Sequence, residues 1–285
     1  MRWLFIHQNA PGQWRDLIPA LLERGHEIHL IGAHPRQRLP RGANYRHYSW
    51  SSDQPPSRLV DPDLEHNLQR AARVAALCNQ MNQQGIQPDV VVFHSAWGEG
   101  LYLRDIWPQA ALVAYPELYA QARLMGHGFD PEAGSLSEGS RRSLRRQNFM
   151  ALSAIADADA AIAPTLFQRD TFPAHLRGRF HVIHEGVNLQ RLQPNPRRHL
   201  QLTPKLMLRK GDPVVTYVSR SLEPLRGFRV FMRALPAILE RHPSAQVLMV
   251  GSWEGTSYSR SSTHPQGYWG EMTALLGERL DLSRV

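Results

Sequence analysis

The chain has 285 residues, 42% of them hydrophobic, and no apolar run near the roughly 18 to 20 residues of a membrane span, which predicts a soluble globular protein of one large or two modest domains. Its formal charge is +8, carried almost wholly by arginine, since lysine occurs only at 205 and 210; the excess suits a phosphorylated ligand, an anionic membrane surface or nucleic acid, and plain compositional bias would produce it equally well. Cys78 is the single cysteine, which excludes an internal disulfide and a cysteine-based zinc cluster.

The opening MRWLFIHQNAPG is too short in its apolar part and too polar for a signal peptide, so a cytoplasmic protein is expected. Arg2 to His7 predicts a strand, Trp14 to Arg24 a helix ended by Gly25, and Glu27 to Ile31 a second strand, together a βαβ unit. From Asp63 to Gln84 the residues Leu64, Leu68, Ala71, Ala75, Cys78 and Met81 mark one face of a long helix. Strands follow at Asp89 to Phe93, Ala111 to Tyr115, Ala160 to Ala163 and Phe180 to His184, with a helix from about Ser140 to Ala156. Such alternation predicts a largely parallel sheet covered on both faces. Residues 193–212, rich in proline and charge and without a period, predict an interdomain linker between a first domain, 1–192, and a second, 213–285. In the second, Val214 to Val218 and Gln246 to Val250 predict strands around a helix whose Phe228, Met232, Leu235 and Leu239 share a face, and a short helix is expected near Trp269 to Leu276. Two strands are few for a doubly wound domain, so this domain is expected to be incomplete and labile.

The strongest chemical signal is VVTYVSRSLEPLRGF. Arg220 follows a strand, Arg226 comes six residues later, and Gly227 opens a helix, the setting in which an α/β sheet binds anions; two guanidinium groups there suit a diphosphate. Gly12 lies in the first strand-to-helix loop, where a missing Cβ lets backbone approach a phosphate or sugar. His94, at a strand's carboxyl end, and Glu117, in the loop after the next strand, point to that same edge, Glu117 as an acceptor contact. Arg141, Arg142, Arg145 and Arg146 lie on the flank and outer face of a helix, either as a solvated face or as a patch docking on anionic lipid. Aromatic residues are not interleaved with that cluster as nucleic-acid stacking would require, so no nucleic-acid partner is expected. Asp157-Ala-Asp159 lacks the loop setting of a metal-binding Asp-x-Asp, and Gly98-Glu-Gly100 lacks the later glycine of a dinucleotide fingerprint.

The segment around Arg220 and Arg226 resembles the start of the donor domain in the retaining family 4 glycosyltransferases of GT-B fold, in which an Arg and a Lys-Gly hold the donor's diphosphate; Arg226 stands where lysine is usual. HQNAPGQWRDLIPALLERGHEI, DVVVFHSAWGEGL, AAIAPTLFQRDTFP and FHVIHEGVN are similar, in order and spacing, to further segments of that family. The resemblance implies two Rossmann-like doubly wound domains, the second incomplete because the family's paired-glutamate segment is missing. It also implies transfer of a sugar from a nucleoside diphosphate sugar to a saccharide or lipid-linked acceptor hydroxyl, with retention, in glycan or glycolipid synthesis. It places His94 beside the donor sugar as the catalytic residue and calls for no cofactor and no metal. An inactive phosphate-binding fragment, or another GT-B enzyme such as a sugar-nucleotide epimerase, remain the alternatives. A lipid-linked acceptor would place the protein peripherally at the inner face of the membrane.

Overall fold

A computed structural model describes residues 1–35, 39–50, 62–195, 199–204, 206–257 and 259–285. The chain divides into two compact units, Met1–Leu192 and Gln193–Val285.

In the first unit the chain runs through β1 (Arg2–Ile6), α1 (Leu17–Glu23), β2 (Glu27–Gly32), β3 (Asn44–His47), α2 (Pro62–Gln83), β4 (Val90–His94), α3 (Leu103–Ile106), β5 (Ala111–Tyr115), α4 (Glu138–Asp157), β6 (Ala160–Ala163), α5 (Leu166–Asp170) and β7 (Phe180–Val182). The seven strands pair in the order β3-β2-β1-β4-β5-β6-β7, every neighbour parallel. Alternate strand residues feed two cores, as the two-residue period dictates. Leu4, Ile6, Val91 and Phe93 pack with Val74, Cys78 and Met81 of α2 and with Ala154 of α4. Phe5, Ile28, Leu30 and Val92 pack on the other face with Trp14 and with Ile18 and Leu21 of α1. Both faces are therefore covered, which is why the strands read as continuous apolar runs.

The buried stripe of α2 is Ala71, Val74, Cys78 and Met81, whereas Leu68, expected on that face, is 37% exposed. Arg70 instead takes an inward position on this helix, with its side chain buried. Burial pushes the Cys78 thiol well above its usual range, so it behaves as a small apolar side chain.

In the second unit β8 (His199–Thr203) and β9 (Leu206–Arg209) form an antiparallel hairpin, followed by β10 (Val214–Ser221), α6 (Phe228–Arg241), β11 (Gln246–Ser252) and α7 (Gly267–Leu276). The hairpin corrects the expectation of a plain linker over 193–212; residues 196–198 and 205 of that stretch lie outside the described residues. The apolar run Leu206 to Leu208 is too short to show a period among the neighbouring prolines and charges. β10 and β11 are parallel, and Phe228, Met232, Leu235 and Leu239 of α6 pack over Val247 with Met272 and Leu276 of α7. On the opposite face Val218 and Val250 stay exposed. Arg284 donates to the carbonyls of Leu239, His242 and Ala245, tying the last turn to the end of α6. Among the described residues no helix is long and apolar enough to cross a membrane.

Candidate active site

From β1 the chain turns to β2 on one side, while β4 leads to β5 on the other, so the loops leaving β1 and β4 diverge and open a crevice at the carboxyl edge. Four rings gather there. His7 follows β1 directly and its ring lies 5.1 Å from that of His94, the last residue of β4, and 5.7 Å from Trp14. Trp97 stacks on His94 at 4.2 Å with the planes 18° apart. Each histidine has its Nδ1 fixed as an acceptor by the backbone two residues on: Asn9 N–H donates to His7 at 2.8 Å and Ala96 N–H to His94 at 3.2 Å. The proton of the neutral ring therefore sits on Nε2 in both.

Gly12 shapes this edge through His7. Its φ is +55°, and a Cβ built there would lie 2.6 Å from the imidazole, so the loop can close over the ring only with glycine. Gly98-Glu-Gly100 is a packing device: a Cβ on Gly100 would stand 2.1 Å from Phe93, and the tight loop drives Glu99 inward. That carboxylate is fully buried, accepts from the Tyr48 hydroxyl at 2.9 Å, and lies 3.8 Å from Arg70 Nη1. Burial raises its pKa against the pull of Arg70. Arg70 in turn donates to Gln8 and lies over the Trp50 ring at 4.2 Å.

Burial, and then the neighbouring His94, lower the pKa of His7 to about 3. The unfolded chain titrates this group near 6.5 and the folded chain near 3, so the stability that His7 contributes is present above pH 6.5 and is lost as pH falls toward 3. We expect unfolding free energy to fall by roughly 1.4 kcal/mol per pH unit from this group across that window. Denaturant titrations from pH 7 to 4 on the parent and on His7→Gln measure it, and a parallel pH dependence in both would refute the assignment.

His94 is completely buried, and its Nε2 faces the Glu117 carboxylate at 3.5 Å. Glu117 is 39% exposed at its side chain and has φ +59°, the one non-glycine residue of positive φ among the described residues. The left-handed turn aims its carboxylate back at β4. The group presented to solvent here is therefore Glu117, with His94 behind it. Tyr115 donates to Glu185 at 2.5 Å, drawing the segment after β7 to the same edge.

In the second unit Arg220 lies within β10, at a register shift between Val218 and Ser221, instead of following the strand as expected. A 3-10 turn, Pro224–Arg226, leads to Gly227 at φ +75°, and α6 opens there with no side-chain cap, the Phe228 N–H reaching the Glu223 carbonyl at 3.4 Å. Arg220 and Arg226 are both exposed. Glu223, which nothing in the sequence singled out, is fully buried beside Arg226. Its carboxylate accepts from the amides of Ser257 and Ser259 at 3.0 and 2.9 Å and lies 3.5 Å from Arg226 Nε. It thus staples the loop after β11 to the loop after β10 and orients Arg226.

Arg141, Arg142 and Arg145 border a pocket beside α4; Arg142 is paired with Glu138 one turn earlier, at 2.5 Å.

Two α/β units of this kind, the first a seven-stranded parallel sheet with its polar cluster at the switch point, define the GT-B class of fold. Solved structures show the same fold. The catalytic domain of starch synthase IV from Arabidopsis thaliana, bound to ADP and acarbose, superposes with a TM-score of 0.54 at 13% identity over 88% of this chain and 68% of that one. UGT2 of Phytolacca americana, complexed with UDP-2fluoro-glucose and pterostilbene, gives 0.53 at 12% identity over 88% and 72%. The UDP-GlcNAc 2-epimerase of Methanocaldococcus jannaschii gives 0.53 at 12% identity over 96% and 68%. The chain thus spans about two thirds of each. No curated protein sequence gives a significant match. The chain belongs to the glycosyl transferase family 4 group, whose family model matches residues 24–192, and is a glycosyltransferase.

Proposed function

We propose that the protein transfers a sugar from a nucleoside diphosphate sugar to an acceptor hydroxyl with retention, in glycan or glycolipid synthesis. The observation that carries this reading is the pair of exposed cations Arg220 and Arg226 beside the start of α6, which has no side-chain cap. Charge develops on the diphosphate as the glycosidic bond breaks, and donors already fixed where that charge appears lower the barrier without reorganising. Gly227 leaves the approach to the helix start open, no atom lying within 4 Å of where its Cβ would be. On the first unit Glu117 meets the acceptor hydroxyl. His94, the residue that the family resemblance puts beside the donor sugar, acts in this geometry as a positioning residue that holds the Glu117 carboxylate. Gly12 keeps the β1 loop closed on His7 and so shapes the same crevice. The two guanidinium groups supply the positive charge the leaving group needs, so transfer is proposed to run without a divalent cation. The exposed arginines of α4 support peripheral contact with an anionic membrane.

The test is an assay of UDP-, GDP- and ADP-sugars with hydroxyl acceptors, followed by proton NMR of the product anomer, with and without EDTA. The expected product keeps the donor's anomeric configuration and forms at the same rate in EDTA. An inverted product would overturn retention. An epimerised nucleotide sugar with no transfer would favour epimerase chemistry instead.

A further inference from the structure

α4 stands proud of its sheet. Its 20 residues extend about 30 Å at 1.5 Å per residue, against about 17 Å for a five-residue strand. All of its buried residues, Asn148, Met150, Ala151, Ala154 and Ile155, lie in the second half. α4 precedes β6, so its first half overhangs the carboxyl edge, where Glu117 leaves β5. Between that overhang and the segment 119–122 lies an open pocket of about 580 Å³.

The pocket's chemistry is divided. Asn148 forms its floor, 5% exposed, and its amide is fully engaged: Oδ1 accepts from Ala120 N–H at 2.7 Å and Nδ2 donates to Ala120 O at 2.9 Å. The wall segment is thereby pinned to the helix. Tyr119, Ala122 and Leu136 line it, and Arg141 and Arg145 project at its mouth. Arg142 is answered by Glu138, whereas Arg141 and Arg145 have no acidic partner among the described residues. One turn beyond Arg145, Phe149 is 55% exposed. Two unanswered guanidinium groups over a rigid, half-apolar concavity fit a phosphoryl or diphosphoryl group carried on an apolar chain. The segment 119–122 starts two residues after Glu117, so a group held there stands next to the acceptor crevice.

We infer that this pocket holds the phosphate of a lipid-borne acceptor, with Arg141 and Arg145 on its oxygens and the apolar wall against the first part of its chain. The acceptor role rests on the glycosyltransfer reading above; anion binding by the pocket does not.

The experiment starts from the Arg220→Gln/Arg226→Gln protein, which removes the donor-side anion site, and titrates inorganic pyrophosphate by calorimetry. Adding Arg141→Gln and Arg145→Gln is expected to raise Kd at least 10-fold, and Arg142→Gln less than 2-fold. Ala122→Trp and, separately, Leu136→Trp fill the pocket while leaving every charge in place, and each is expected to raise Kd at least 10-fold with the circular dichroism melt unchanged. Cosedimentation with vesicles of phosphatidic acid in phosphatidylcholine, against phosphatidylcholine alone, reads the lipid source; the filled variants are expected to lose it as well. If neither filled variant changes pyrophosphate or vesicle binding, the arginines are a charged outer face and the pocket assignment falls. If pyrophosphate binds in the pocket but the vesicles ignore both fillings, the lipid source falls and a soluble phosphate remains. A protein that transfers no sugar yet passes the titration sinks only the transfer reading.

Discussion

Replacing Arg226 with alanine is expected to weaken binding of the protein's preferred diphosphate among UDP, GDP and ADP by about 100-fold, and replacing Arg220 by about 10-fold, the range that follows from 1.5 to 3 kcal/mol for a hydrogen bond to a charged group. The difference between the two has a structural origin. Arg220 is an exposed side chain at a bulge in β10, and its loss subtracts one cation. Arg226 lies 3.5 Å from the buried carboxylate of Glu223, so its loss also uncovers a negative charge beneath the diphosphate. Glu223→Gln in the Arg226→Ala background should then recover part of the affinity, since the repulsion goes while the cation is still absent. Calorimetry of the parent, Arg226→Ala, Glu223→Gln and the double variant closes the cycle. Equal losses for both arginines with no recovery would show that Glu223 has no electrostatic part in the site, and unchanged affinity throughout would remove the diphosphate from this loop.

The second large effect is expected on turnover. Glu117→Gln keeps the size of the side chain and removes its charge, and kcat should fall about 100-fold, the order seen when one fixed polar group is taken from a reacting centre. His94→Ala should lower kcat by a similar factor, while binding of the free nucleoside diphosphate changes less than 2-fold, because the ring is buried behind Glu117 and reaches no ligand directly. The double variant should be little worse than either single one if the two act as a unit. Losses that multiply would give His94 its own contact with the donor sugar, as the family resemblance implies. A drop in melting temperature with kcat intact would reduce both to packing.

The parallel α/β architecture was legible because β1, β4 and β5 are near-continuous apolar runs and because α6 has a strict four-and-three spacing of large side chains. β3 was not legible: Asn44–His47 is a polar edge strand with two half-buried and two exposed residues, and it pairs with β2 through backbone groups that carry no compositional mark. The hairpin of β8 and β9 escaped for a related reason, its pairing being local and its side chains mostly exposed. At the site, the positions of His94 and Glu117 followed from where strands end. Their contact did not, because it depends on one left-handed residue that no side-chain pattern announces. Glu223, Glu99 and Arg70 were missed because sequence gives charged residues a strong prior for the surface. Each is held inside by partners far along the chain: the amides of Ser257 and Ser259 for Glu223, and Tyr48 and Gln8 for the other two.

The overhang of α4 bears on how such a protein can diversify. Its first ten residues bury no side chain, so exchanges there fall in the class that shifts stability by about 0.5 kcal/mol or less. The second half, from Asn148 onward, is locked to Ala120 and to the core beneath β5 and β6. A lineage could thus rewrite the rim of this pocket, changing sign, bulk or length, without passing through unfolded intermediates, while the sheet edge with His7 and His94 tolerates almost nothing.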